Sequence, residues 1–351
     1  MHSKIVGGST AARVIACPGS VALVQAAPPQ AESKYAAEGT FLHAAITALL
    51  DDVTALPLTD EQRDNKIAPA LELLDQVDPD RDMEFRTEVR VDFGDFLPGV
   101  FGSVDLLGKI GNRAIILDWK FGDGVVVEAE ENKQLMFYAA AARRSAPWAF
   151  EGVDEVELVI IQPPMIKRWV TTRARISRFE DQLYAAVQEA KQPNAMLQTG
   201  DHCRWCAAKP TCPMMTGAAD RAVKVKFDAL DKQQISIYLQ QADMLDGWIS
   251  DLRELAQRAL DNGQVIPGYK LVAKRGTRKW LDEDKARAAL IEAGLKDPDV
   301  TTLVSPAVAE KKLKRLPEGL TVSVSSGNTL APDSDPRPAV LQLGQLLKKV
   351  L

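Results

Sequence analysis

A chain of 351 residues with 46% hydrophobic content can build one large domain with an appendage, or two domains, and is not a disordered polymer. The longest apolar runs, Ala44 to Leu50 and Val156 to Ile161, fall well short of the roughly 20 residues that cross a bilayer, so no membrane span is expected. A net charge of −5 speaks against indiscriminate nucleic-acid binding, and a beginning with one lysine and no apolar stretch of signal-peptide length reads as cytoplasmic.

In chain order, Ser9 to Ala16 reads as a helix capped by Ser9, and Cys17-Pro18-Gly19-Ser20 breaks it before a second short helix to Ala27. Pro28-Pro29 is a loop. Ser33 to Leu50 is a strong amphipathic helix with Phe41, Leu42, Ala45, Ile46 and Leu49 on its apolar face and His43 off the centre of it. Asp60 to Val77 is a further, acidic helix. The period then drops to two: Phe85 to Phe93, Val100 to Ile110, Ala114 to Lys120, Glu155 to Gln162 and Arg168 to Arg175 are strand candidates, with an alanine-rich helix, Glu130 to Arg144, between the third and the fourth. Helices leading into a meander, then a helical crossover and more strands, describe a mixed α/β domain.

Phe179 to Leu197 is expected as a helix that delivers the chain to a cysteine cluster. Ala218 to Asn262 reads as one or two long helices, Gly268 to Trp280 as a basic hairpin and Asp284 to Ala293 as a short helix. The Pro-, Ser- and Asp-rich tail from Ser325 to Pro338 reads as a flexible linker before a terminal helix, Val340 to Leu351. Between Gln264 and Arg315 there are 12 Lys/Arg against 7 Asp/Glu, so a basic surface can form there, or Lys274, Arg275, Arg278 and Lys279 can lie on a solvated strand pair.

Two carboxylates and an ammonium carry the chemistry. A hairpin turning near Gly111-Asn112 brings Asp105 of Gly102-Ser103-Val104-Asp105 beside Asp118 of Asp118-Trp119-Lys120. Carboxylates so placed repel unless a hard divalent cation lies between them, and Mg²⁺ is held by one or two carboxylates plus substrate phosphates. Alternation puts Asp118 and Lys120 on one strand face, so the ammonium stands beside the cation where a phosphodiester would react. Three of the four cysteines cluster as Cys203-Arg204-Trp205-Cys206 and Cys212, and Cys17 stands alone near the N-terminus. In a cytosolic chain such spacing points to zinc or an iron–sulfur cluster, and spacing leaves the two open.

The string Glu38-Gly39-Thr40-Phe41-Leu42-His43, followed by Gly102-Ser103-Val104-Asp105, Asp118-Trp119-Lys120 and Gln134-Leu135-Met136-Phe137-Tyr138, resembles the ordered motifs of the RecB-like branch of the PD-(D/E)XK nucleases. One cysteine before these motifs and three after resembles the iron–sulfur members of that branch, among them the AddB nuclease domain, CRISPR-associated RecB-like exonucleases and phage-encoded exonucleases. The resemblance runs from about residue 9 to 215, and the proline usual before the first aspartate is absent.

It implies that His43, Asp105 and Asp118 ligate Mg²⁺ or Mn²⁺ with the Trp119 carbonyl, and that Lys120 orients the attacking water and offsets charge on the phosphate. Gln134 and Tyr138 would steady the site, Glu88 would join a second metal site, and Cys17, Cys203, Cys206 and Cys212 would hold a [4Fe-4S] cluster, with Zn²⁺ as the alternative. The implied fold is restriction-endonuclease-like, a mixed central sheet flanked by helices with an iron–sulfur staple and a mainly helical C-terminal extension. The expected domains are 1–216 for the nuclease, 217–324 for the extension with its basic hairpin, and 325–351 for linker and terminal helix. The expected activity is a metal-dependent DNA exonuclease acting on ends or single strands in phage or bacterial recombination, replication or repair, with a recombination or replication protein as partner. The competing readings are a non-catalytic DNA-binding or recombination scaffold and a zinc protein whose Asp-x-Lys is accidental.

Overall fold

The computed structural model describes residues 3–28, 34–122, 125–223, 232–295 and 302–340. Two compact units divide the chain, Met1–Leu245 and Asp246–Leu351.

The first unit is built on a five-stranded mixed sheet in the order β1 (Glu84–Asp92), β2 (Phe101–Ile110), β3 (Arg113–Trp119), β4 (Glu155–Gln162) and β5 (Met165–Thr172). The first three strands form an antiparallel meander, β4 lies parallel to β3, and β5 returns antiparallel. Parallel pairing needs a crossover, which α6 (Lys133–Ser145) supplies. Asn132 caps it, its side chain accepting from the backbone N–H groups of Gln134 and Leu135.

The period of two sorts the sheet's side chains into two cores. Ala114 and Ile116 of β3, with Val156, Leu158 and Ile160 of β4, pack with α6, with α1 (Ala11–Ala16) and with α7 (Arg173–Ala190). The intervening Ile115, Leu117, Trp119, Val159 and Ile161 pack with α3 (Lys34–Leu50) and α5 (Ala68–Val77) on the other face. α2 (Ser20–Ala26) follows α1 directly. With both faces covered, the inner strands are largely apolar, and truncating a residue such as Ile116 to Ala would cost about 2–5 kcal/mol.

Several expected elements have different bounds. The acidic helix is broken into α4 (Asp60–Gln62), a π-helical segment Arg63–Ile67 and α5, because Pro69 in the first turn of α5 has no N–H to continue the ladder. The last helix before the cysteines starts at Arg173 rather than Phe179, because the Thr172 side chain accepts from Arg175 N–H and turns the end of β5 into a helix cap. α8 (Pro213–Val223) and α9 (Lys232–Asp261) occupy the long helical stretch, and α9 crosses the division between the units.

In the second unit the basic hairpin does not form. β6 (Tyr269–Ala273) pairs with β9 (Asn328–Pro332), and β7 (Thr277–Trp280) pairs with β8 (Thr321–Val324), so the two basic strands lie in separate two-stranded sheets. Consecutive strands usually pair, but here each finds a partner about 50 residues downstream. The tail from 325 to 338 is correspondingly no free linker, since β9 is hydrogen-bonded along its length and Val340 N–H reaches Leu271 O at 2.9 Å. The stretch from 217 to 324 holds the end of α8, α9, α10 (Glu283–Glu292) and α11 (Pro306–Leu313) as well as strands of these two small sheets. The expected terminal helix falls on residues 341–351, outside the described residues. No helix among the described residues is long and apolar enough to cross a membrane.

Candidate active site

Both strands of the first hairpin turn over at one level. Phe85 packs with the α3 side of the sheet while Val89 and Val91 pack with the α6 side. Leu106 and Val104 of β2 divide in the same way. The ladder pairs Thr87 with Leu106 and Val89 with Val104, and the residues between, Glu88 and Asp105, leave it together. Glu88 makes the turn with φ 45°, a left-handed conformation that a non-glycine residue holds at a cost of order 1–3 kcal/mol. Strain of that kind gathers where side chains must be aimed.

It aims them at a cation-sized space. His43 of α3, Glu88 and Asp105 each offer a ligand atom, and these atoms all lie within 4.8 Å of one another. His43 Nδ1 stands 3.3 Å from Asp105 Oδ2, and the same oxygen accepts from Trp119 N–H at 2.8 Å. Ser103 Oγ donates to Glu88 at 2.9 Å. One imidazole and two carboxylates suit Mg²⁺ or Mn²⁺.

Asp118 lies beside this trio, on the α6 side of β3. Its Oδ1 accepts from Gln134 Nε2 at 2.6 Å, and its Oδ2 meets the Lys120 ammonium at 2.6 Å as an ion pair that lacks hydrogen-bond alignment. Lys120 donates to Gln134 Oε1 at 3.2 Å, and Gln134 Nε2 also reaches Tyr138 Oη at 3.2 Å. A buried carboxylate oxygen met only by an ion pair has a lone pair to offer a cation or a proton. Burial and the nearby Asp105 push Asp118 up to about 6, against the pull of Lys120. Burial lowers His43, but the hydrogen bond and charge of Asp105 outweigh it and leave the imidazole above its ordinary value. Tyr138 is raised, first by burial and then by Asp118, so its hydroxyl stays protonated.

The structure thus brings together His43, Asp105, Asp118, Lys120, Gln134 and Tyr138, and sets Glu88 in the same group as His43 and Asp105. Sequence reasoning gave no role of their own to Ser103 and Gly102, and missed Gly8. A Cβ on Gly8 would lie 2.4 Å from the Tyr138 ring and one on Gly102 2.9 Å from it, so the ring is clamped between two backbones that only glycine lets approach. Gly8→Ala should displace Tyr138 and with it Gln134, lowering stability by about 1–3 kcal/mol. Thermal unfolding checks this in combination: Gly8→Ala should add nothing once Tyr138→Ala has emptied the space, whereas additive losses would show that the ring is not what Gly8 accommodates.

The four cysteines lie by the C-terminal end of α1. Cys17, at its C-terminal end, lines one cavity with Cys203, Cys206 and Cys212, and no disulfide joins them. Gln198 N–H donates to Cys17 Sγ at 3.3 Å. Burial pushes the Cys203 and Cys206 thiols up, and the Arg13 guanidinium opposes that rise at Cys206. Four cysteines lining one cavity, with the Arg13 guanidinium near Cys206, are a donor set of the kind that holds zinc or an iron–sulfur cluster.

Among solved structures, the chain is similar to the crystal structure of SSO0001, at 17% identity over 58% of this chain and 84% of that one with a TM-score of 0.28. It is also similar to an alkaline exonuclease, LHK-Exo, from Laribacter hongkongensis, at 15% identity over 54% of this chain and 89% of that one with a TM-score of 0.28. Scores at that level carry no weight for what this chain does. A family model described as "Protein of unknown function (DUF2800)" matches residues 59–338, a stretch that holds Glu88, Asp105, Asp118, Lys120, Gln134 and the three clustered cysteines and is well over half of the chain, and the chain belongs to that family.

Proposed function

We propose that the protein is a Mg²⁺- or Mn²⁺-dependent deoxyribonuclease, an exonuclease that hydrolyses phosphodiester bonds at DNA ends or in single strands, with a [4Fe-4S] cluster as structural staple. The observation that carries the reading is the juxtaposition of the His43, Glu88 and Asp105 ligand atoms, within 4.8 Å of one another, with the buried Asp118–Lys120–Gln134 network. His43, Glu88, Asp105 and Asp118, with the Trp119 carbonyl, would hold the divalent ion. When bound, it polarises the phosphodiester and neutralises its charge.

The chain's own residues do the rest. Lys120 brings an ammonium beside the carboxylates of the site, where it offsets the negative charge that grows on the phosphate and orients the water. Gln134 ties Lys120 to Asp118, and Tyr138 holds Gln134 from the next turn of α6. Attack of water on phosphorus with loss of the 3′ oxygen leaves a 5′-phosphate and a 3′-hydroxyl. Cys17, Cys203, Cys206 and Cys212 would hold the cluster, with zinc as the alternative occupant.

The role proposed with this activity is a cytoplasmic one in phage or bacterial DNA recombination, replication or repair. The test uses protein purified without oxygen, incubated with end-labelled single- and double-stranded DNA and Mg²⁺ or Mn²⁺. Short labelled products that vanish with chelator are expected. Intact DNA under all four combinations, from protein that retains its metal centre, would overturn the assignment and favour a DNA-binding scaffold.

A further inference from the structure

The cysteine loop carries a feature that neither the metal centre nor the hydrolytic site uses. Trp205 is 78% exposed, at the end of the 3-10 turn Asp201–Trp205, between Cys203 and Cys206. A single exposed leucine needs no explanation, but the largest and most rigid apolar side chain on an ordered turn presents a flat face to whatever binds there. The turn is fixed by its own backbone: Cys203 N–H bonds Gly200 O at 2.9 Å, Cys206 N–H bonds Cys203 O at 3.2 Å, and Lys209 N–H bonds Cys206 O at 2.9 Å. Cysteines on both sides would anchor it further once a metal centre is in place.

Over one face of the indole lies the exposed guanidinium of Arg204, 5.2 Å from the ring centroid, which leaves the other face for a ligand. The charge around it is also distinctive for an acidic chain. Between Glu189 and Asp220 the single acidic residue is Asp201, against Lys191 and Arg204 at the surface, while Lys209 is buried. An aromatic face with an adjacent guanidinium, in a stretch free of other carboxylates, matches a nucleic-acid strand: the base stacks on the ring and the cation meets the phosphate.

We propose that Trp205 and Arg204 form a stacking platform for an unpaired base of a single-stranded DNA substrate. This rests on the nuclease reading and names the form of substrate that the protein grips. Base stacking tolerates any sequence, as a degradative enzyme requires, and the pair works by position without taking part in bond cleavage.

The experiment uses the full chain purified without oxygen, with fluorescein-labelled single-stranded oligothymidylate in EDTA, so that binding is read without turnover. Trp205→Ala should weaken binding roughly 5- to 100-fold with the salt dependence unchanged, and Trp205→Phe should recover much of it. Arg204→Ala should instead flatten the salt slope by about 0.7, the share of one phosphate contact on a single strand. Against an oligonucleotide of abasic sugars, wild type and Trp205→Ala should bind alike. Metal content equal to wild type in each variant keeps the comparison free of damage to the cysteine centre.

Unchanged oligothymidylate binding by Trp205→Ala would overturn the platform, as would an equal loss on abasic strand, and either would leave the indole as a surface for another protein. A wild-type protein that cleaves DNA with Mg²⁺ yet shows no base-dependent binding overturns the platform alone. One that neither cleaves nor binds takes the nuclease reading down with it.

Discussion

Asp118→Asn should abolish metal-dependent cleavage and, at the same time, make the metal-free protein more stable above about pH 6. The carboxylate is buried and, pushed up to about 6, holds its proton in the folded chain where the unfolded chain has already lost it. Between the ordinary 3.8 and about 6 the native state therefore binds more protons than the unfolded state, so stability falls as pH rises through that window, by on the order of 3 kcal/mol in total. His43, raised above its ordinary value by Asp105, has the same sign: its contribution is present at low pH and is lost as pH rises through its folded value.

Asparagine keeps an oxygen for Gln134 and removes the charge, so thermal unfolding in EDTA should find the variant above wild type at pH 8 and level with it near pH 4. Added Mn²⁺ should reverse the order, because binding to the native state stabilises in proportion to affinity and the variant has lost a ligand charge. End-labelled DNA should survive the variant with a loss of several orders of magnitude in rate. Lys120→Ala, which leaves Asp118 unopposed, should lose activity while destabilising the metal-free form. An Asp118→Asn protein that is less stable than wild type at pH 8 in EDTA would contradict the account of a carboxylate kept under electrostatic stress for its cation.

Much of this site was legible in the chain because its parts are local in sequence. Asp118 and Lys120 share a face through the period of two, Gln134 and Tyr138 share one through the helical period, and the turn at Gly111-Asn112 sets the hairpin register that pairs Leu106 with Leu117. Glu88 was harder to see. Odd-numbered Phe85, Val89 and Val91 continue one apolar stripe on paper, which sends Glu88 to solvent, but the left-handed turn at Glu88 changes which face those residues cover. Gly8 and Gly102 report a clamp on a ring 30 or more residues away, and no window of sequence contains both sides of that contact. In the second unit the pairings of β6 with β9 and of β7 with β8 are nonlocal in the same way. Charge and composition mark a basic hairpin there, while strand partners are decided by tertiary packing.

Cys17→Ser should be as damaging as Cys206→Ser, although it lies far from the cluster in sequence. Protein made without oxygen is expected to be brown and to carry about four irons per chain if the centre is a cubane; colourless protein with stoichiometric zinc would identify the alternative occupant. Either centre would join Cys17 to Cys203, Cys206 and Cys212 across a loop of nearly 190 residues, and closing a loop of that length in the unfolded chain is worth several kcal/mol. Loss of one ligand should therefore bleach the centre and lower the unfolding temperature by on the order of 10 °C. Cys17 also ends α1, and the same segment begins at Gly8 against Tyr138, so a centre there would anchor one end of the strut whose other end seats the Gln134–Tyr138 pair. Cys17→Ser should then slow cleavage even where the protein remains folded, and limited proteolysis should open residues 9–20 before the sheet. A Cys17→Ser protein with full metal content and unaltered protease resistance would reduce Cys17 to a buried thiol and detach the N-terminal segment from the control of the site.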